Sequence, residues 1–517
     1  MFSKIQGKAL YKIMSTACGA AFMLYGYDAG VLGGFQERQE FRDAIGNPQG
    51  PYIIPLIASI YNLAAGFMSL AVPFFGMQIG RKGTIQLGHL LVCLGALLQS
   101  SAFSLAQITV GRIVAGAGIG CIASAVPTYM AEMSLEASQR GPETQYQLAL
   151  LISGIPLAYW IDLGFVQGLE QHPYLWRFPL AMQSCFSIFS GGLLLFLPDT
   201  PRWYYARDRH EEGDKTLARL HGKAVNDQAV QTMRREILAS LHEDDGEKSE
   251  FNILMLFWDN SDLQIGRRLR TSFLILFAQQ FLGINMLVYF STQIFSSIGY
   301  GPLLSGILAA VMNTIFGIAS FPPIWFIERI GRRPLMFWCA IGCGVLMIIY
   351  VVITTTGIQG DDFTTLNRTK GWASTAIIIL YVVVFAFGWL GTCWIYGPEI
   401  APLRYRHIAG GLGAAGEWFS TWAMVFGGGS GLSAVGPIIF IWPLICCFLS
   451  AAYVWYYCPE TTGRTLEEID VLFAKSPEVR ARLEMETERR HSIPRGKSQI
   501  EDKEDSDQVD VEKNEFA

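Results

Sequence analysis

Long apolar blocks separated by short polar connections dominate this chain. They run near 13–35, 52–76, 84–103, 106–131, 145–166, 176–197, 271–296, 302–327, 334–356, 372–398, 407–430 and 433–457. A helix that crosses a bilayer needs roughly 20 mainly apolar residues. The pattern therefore predicts an all-α membrane protein with twelve transmembrane helices. A soluble protein with buried core helices does not account for so many long blocks in succession. The first block is read as a retained span, not a signal peptide, because no small-residue cleavage pattern follows it.

The polar connections set the orientation. Lys4, Lys8, Lys12, Arg81, Lys82, Arg140, Arg329, Arg332, Arg333, Arg404 and Arg406 fall on one side of the twelve spans. The other side has Arg38, Arg42, Arg368 and Lys370, mixed with acids. Positive-inside bias then puts both termini in the cytoplasm. The sequon Asn367-Arg368-Thr369 falls in an outer loop, where Asn367 is open to glycosylation.

Four segments follow: a six-helix half over 1–197, a central cytoplasmic loop with short helices over 198–268, a second six-helix half over 269–457, and a cytoplasmic tail over 458–517. The tail is rich in Glu, Asp, Lys and Ser without aromatic clusters, so it is expected to be largely disordered. Within it Ser492 follows Arg489-Arg490-His491, which reads more readily as a solvated charge run than as a phosphorylation site.

The halves echo each other. Gly80-Arg81-Lys82 matches Gly331-Arg332-Arg333. Glu132 and Arg140 match Glu399 and Arg406. PDTPR at 198–202 matches PETTGR at 459–464. Three signatures recurring in order six spans later mark a parallel repeat with a substrate site between the halves, near mid-membrane.

Composition narrows the chemistry. Of 517 residues, 51% are hydrophobic and 16% charged, and the net charge of −5 owes much to the tail. Ten scattered cysteines show neither a disulfide framework nor metal spacing. No nucleophile–base pair or metal constellation is apparent, so neither an enzyme nor a cofactor is expected, and nothing suggests nucleic-acid binding.

Ionisable residues inside spans are costly and usually have a partner or a task. Asp28 in GYDAGVLGG and Arg112 in GRIVAGAGIG fit a proton switch, with a static ion pair as the plainer reading. Gln279, Gln280 and Asn285 in QQFLGINMLVYF offer both donors and acceptors, as a polyol's hydroxyls require. Asn313 and Gln147 could extend that ring, the plainer reading being polar contacts between helices. Trp394 could stack on a sugar face or simply pack, and Glu417 is a second intramembrane acid.

GYDAGVLGG, GRIVAGAGIG, WRFPLAMQ, PDTPRWY, QQFLGINMLVYF, ERIGRRPL, PEIAPLRYR and PETTGRTLEE together resemble the sugar porters of the major facilitator superfamily, in a fungal form, over about 14–470. The resemblance implies the major facilitator fold with two six-helix halves that rock around the site. It gives proton coupling to Asp28 and Arg112 and substrate binding to Gln147, Gln279, Gln280, Asn285, Asn313 and Trp394. It makes Glu132, Arg140, Arg332, Arg333, Glu399 and Arg406 a cytoplasmic gating network. A sugar or polyol, protons and the lipid bilayer are the implied partners of a monomer at the plasma membrane.

Departures from the family pattern include Met77 and Gln78 for an Asp-Arg pair, Asp199 in the PESPR-like box, Leu390 for a small residue before the Trp, and Glu417 for an amide. Leu390 and Glu417 alter the pocket itself and leave room for a non-sugar substrate. A non-transporting nutrient sensor is a further alternative.

Overall fold

The computed structural model describes residues 5–134, 140–169, 172, 174–246, 253–259, 261–357, 365–402, 405–464 and 466–492, and every element among them is helical. The first half contains α1 (Gly7–Gly30), α2 (Ile53–Ile79), α3 (Arg81–Ser100), α4 (Leu105–Met133), α5 (Arg140–Gly168) and α6 (Tyr174–Leu195). The second contains α7 (Ile265–Phe281, resuming over Ile284–Tyr289 and Ser291–Ser297), α8 (Pro302–Ala319), α9 (Arg332–Gly357), α10 (Thr365–Phe385, resuming over Thr392–Ile400), α11 (Arg406–Val435) and α12 (Ile441–Tyr457). Ten stretches among the described residues are helical, long and apolar enough to cross a bilayer. The last of these, Ile408–Tyr457, holds both α11 and α12, and α1 completes the twelve. Phe67, Phe74, Ile188, Trp338 and Leu449 stand exposed on the outside, where lipid replaces water as their natural surroundings.

The internal repeat is physical. In the first half α1 packs on α5, α2 on α4, and α3 on α4 and α6; in the second α7 packs on α11, α8 on α10, and α9 on α10 and α12. The halves meet most extensively through two equivalent contacts, α2 with α11 and α5 with α8. Small residues permit these approaches. A Cβ on Gly26 would overlap the Leu151 carbonyl oxygen of α5, and one on Gly154 would overlap that of Met23. Hydrogen bonds add to the packing: Ser190 on α6 donates to the Ala17 carbonyl at 2.8 Å. Its oxygen is then left to accept from His89 Nε2 on α3, 2.9 Å away.

Two spans expected to be continuous are broken. Gly283, at φ +101°, interrupts α7, and a wide turn over Ala386–Leu390 interrupts α10. Such breaks free backbone groups at mid-membrane and are tolerated where they face protein or a cavity. The central segment carries helices at Pro201–Tyr205, His210–His221 and Gln228–Gly246. The segment after α12 has more structure than its composition suggested. Helix α13 (Leu466–Phe473) docks on the second half, where the buried Arg268 donates to Asp470 and to the Ile400 carbonyl and lies over the Phe473 ring. A further helix spans Pro477–Ser492, so Ser492 ends a helix. Asn367 stands in the first turn of α10, not in a loop, and its side chain lies outside the described residues.

Candidate functional site

The glutamines of α7 sit immediately before its break. Gln279 donates to the carbonyls of Trp389 and Leu390, at 2.7 and 3.0 Å, in the wide turn of α10. One interrupted helix thus satisfies the backbone of the other. Gln280 donates to Gln279 Oε1 at 3.3 Å. Asn285, beyond the break, donates to Gln280 Oε1 at 2.6 Å and to the Thr421 hydroxyl of α11 at 3.1 Å. One helical turn back on α11, Glu417 accepts a hydrogen bond from the Tyr25 hydroxyl of α1 at 3.3 Å. The Tyr25 and Trp418 rings lie 5.1 Å apart at the same junction. A polar ribbon therefore runs from α7 through α11 to α1, crossing from the second half to the first.

Gln279, Gln280, Thr421 and Glu417 are buried and Asn285 and Tyr25 are partly buried, yet Glu417 Oε2 and the Trp418 indole nitrogen have no hydrogen-bond partner. Buried polar atoms are nearly always paired, so these two are open to a further hydrogen-bonding group. Trp394, half-buried on α10, packs against the cores of both halves. The other two expected members sit apart from the ribbon's hydrogen bonds. Asn313 on α8 donates to Ala309 and, at 3.4 Å, to Ser291, with its carbonyl unpartnered. Gln147 on α5 donates to Glu143, which also accepts from Ser15 of α1. The α5 amide that reaches α10 is Gln145, which leaves no room for a Cβ on Gly391.

Asp28 and Arg112 meet directly. Arg112 donates to Asp28 Oδ1 at 2.7 Å, and both side chains are fully buried. Gln183 of α6 donates to the same oxygen at 3.0 Å. The guanidinium also lies over the Tyr61 ring, 4.4 Å from its centre. Asp28 Oδ2 has no partner. The C-terminal half comes close, because Tyr289 of α7 donates to Asn62 on α2, the residue after Tyr61.

The basic clusters lie at the end of the bundle where α1 begins and α12 ends. Arg81 pairs with Glu132 at 2.9 Å, and Arg332 pairs with Glu399 at 2.8 Å and Glu328 at 2.6 Å. Arg333 donates to the Trp455 carbonyl and Arg406 to that of Pro398. Each contact closes within one half. Glu132 thus has Arg81 as a partner, while the side chain of Arg140 lies outside the described residues. Asp199 accepts from the backbone N–H groups of Arg81 and Lys82, and Glu460 from those of Arg332 and Arg333. Gly80 and Gly331, at φ +85° and +100°, turn the chain so that these N–H groups point at the carboxylates. Burial raises the Asp199 carboxyl above its ordinary range despite the hydrogen bonds. Burial of Glu460 is outweighed by the added backbone and side-chain bonds from Thr462, and its carboxyl is lowered.

The sequence profile described as "Sugar (and other) transporter" matches residues 13–473. The chain belongs to this family. Among relatives, it is 31% identical to MFS-type transporter oryC of Aspergillus oryzae, over 90% of this chain and 85% of the relative. It is 29% identical to Sugar transporter STL1 of Saccharomyces cerevisiae, over 92% and 83%. It is 28% identical to High glucose sensor RGT2 of the same yeast, over 88% of this chain and 59% of the sensor. The proton:xylose symporter XylE superposes with a TM-score of 0.73 at 20% identity, covering 90% of this chain and all of XylE. The fold is therefore the major facilitator fold, and the protein is a multi-pass membrane transporter, not an enzyme.

Several residues in contact with the candidate site carry no clear signal in the sequence. Tyr25, Thr421, Gln183 and Gln145 are single polar residues whose facing depends on how helices rotate against one another. The one available signal was that each is a polar residue inside an apolar block, a property shared with many residues that only pack.

Proposed function

We propose that this transporter imports a monosaccharide or related polyol with a proton, by alternating access, as a monomer in the plasma membrane with both termini cytoplasmic. The observation that carries the proposal is the polar ribbon of Gln279, Gln280, Asn285, Thr421, Glu417 and Tyr25. It joins the two halves and retains unpartnered buried atoms. A hydroxyl both gives and receives hydrogen bonds, so a polyol matches amides and a carboxyl side by side. Trp394 supplies a flat apolar face beside them, with Asn313 and Gln147 completing the set as the halves move.

Asp28 is the coupling group in this reading. Its charge is held by Arg112 and Gln183, and a proton on Asp28 would free the guanidinium and favour closure. Glu132, Arg140, Arg332, Arg333, Glu399 and Arg406 act as the gate on the cytoplasmic side. Likeness to proteins named as a sugar transporter and a proton:xylose symporter supports the same substrate class and coupling. Glu417, with a free buried oxygen where the family pattern has an amide, favours a second reading in which the substrate is a small molecule outside the sugars.

The test is uptake of labelled D-glucose, D-xylose and glycerol in transporter-deficient yeast, with and without an uncoupler. Uptake lost with the uncoupler and in Asp28→Asn is expected. Uptake indifferent to both would refute proton coupling. Failure of well-folded protein to carry any of the three would move the assignment to the second reading. Glu417→Asn should then reorder the substrate panel without loss of folded protein.

A further inference from the structure

Asp162 lies near the C-terminal end of α5, at the end of the bundle where α1 ends. Its side chain is fully buried, and neither carboxylate oxygen has a hydrogen-bond partner. It faces the turn that follows α1. A Cβ on Gly34 would overlap the Asp162 side chain, and one on Gly33 would overlap the Tyr159 hydroxyl. The backbone N–H of Gly34 is turned toward the carboxyl, short of full hydrogen-bond geometry.

The same turn is held by the second half. Tyr159, one helical turn before Asp162, donates to the Val288 carbonyl at 2.6 Å and accepts from Ser291 at 2.7 Å. Gln36 at the far end of the turn donates to the Tyr289 carbonyl at 3.0 Å. The turn after α1 is thus clamped between α5 and the broken part of α7. Opening this end of the transporter has to break those bonds to α7 and so removes the support that holds the turn against Asp162.

The titratable groups around Asp162 do not serve it. Tyr27 of α1 donates to the Pro179 carbonyl, and Tyr159 is committed to Val288. Asp28 is held by Arg112. Arg177 of α6 donates to the carbonyls of Ser100 and Ala102. Cys185 of α6 approaches Tyr27 and carries no positive charge. A carboxylate enclosed without a cation, and with one poorly aligned backbone donor, is disfavoured and is relieved by taking up a proton.

We propose that Asp162 is a second proton-binding site, distinct from the Asp28–Arg112 pair, which takes up a proton as the end of the bundle that holds the turn after α1 closes and releases it to water as that end opens. The carboxylate oxygen gains the proton from water and returns it there, so acid favours the closed turn. The plainer alternative is that Asp162 only spaces the turn from α5. This inference does not depend on the substrate or on coupling through Asp28.

The experiment is pH-dependent hydrogen exchange of residues 31–37 in the purified full-length protein in nanodiscs, corrected for intrinsic rates. Protection in the wild type should rise as pH falls, by up to about tenfold per pH unit for a single linked proton. In Asp162→Asn, which mimics the protonated form, protection should be high and flat with pH. In Asp162→Glu the dependence should return. In the infrared, the band of a protonated carboxyl should disappear in Asp162→Asn. A wild-type profile unchanged in Asp162→Asn, with no carboxyl band lost, would overturn the proposal. No transported substrate enters either measurement, so failure here is distinguishable from failure of the sugar-symport reading.

Discussion

Arg112 cannot shed its charge, whereas Asp28 can take up a proton. The two ends of their buried pair are therefore unequal. Asp28→Asn leaves a guanidinium enclosed against a neutral amide and should cost about 3–5 kcal/mol, the range for a broken buried pair. Arg112→Leu leaves a carboxyl that can neutralise itself and should cost less. Combining the two should restore much of the loss, because no uncompensated charge remains. Thermal unfolding of the three variants in detergent measures the order and the coupling. The pair itself was legible in the sequence, since two opposite charges in spans are rare enough to be noticed. Gln183 was not, because an amide among apolar residues has many ordinary explanations. Asp162 was overlooked for a related reason: it lies close to a predicted span end, and only the packed turn after α1 shows how deeply it is enclosed.

Among the elements, α5 offers a controlled comparison. Gly154 packs backbone to backbone on Gly26 of α1, whereas a Cβ on Gly164 of the same helix would meet nothing within 4 Å. Gly26→Leu and Gly154→Leu should sharply reduce the yield of monodisperse protein, beyond the ~1–3 kcal/mol typical of overpacking, because backbone atoms cannot move aside as side chains do. Gly164→Leu should behave as wild type on size exclusion. The helices themselves were readable because apolar blocks of spanning length leave little choice of structure. Their interruptions were not. Gly283 sits in a block long and apolar enough to read as one span despite its amides, and the wide turn at Ala386–Leu390 has no proline or polar run to announce it. The breaks are settled by Gln279 bonding to the freed carbonyls of α10, a contact between residues 110 and 111 positions apart.

For the whole molecule, the two halves are alike in packing, and their carboxylate locks are shifted in opposite directions. Glu460 is held below its ordinary range, so its contribution is present above the unfolded value and is lost as pH falls through the folded one. Asp199 is held above its range, so its contribution is full below the unfolded value and fades as pH rises through the folded one. Glu460→Gln should therefore lower Tm at neutral pH, with the deficit shrinking in acid. Asp199→Asn should be close to neutral at pH 7 and show its cost in acid. Melting curves of both variants across the acid range check the sign.

These locks also bear on how the chain is made. Each lies on the segment that leaves its half, Asp199 just after α6 and Glu460 just after α12, and each fastens the start of that half's third helix. The ribosome therefore delivers every piece of the first lock before the seventh helix is synthesised. The first six helices should set as a finished unit while the rest of the chain is still being made. Two fragments co-expressed with a break between residues 246 and 253 should assemble in the membrane and co-purify. A fragment ending before residue 198 should be degraded.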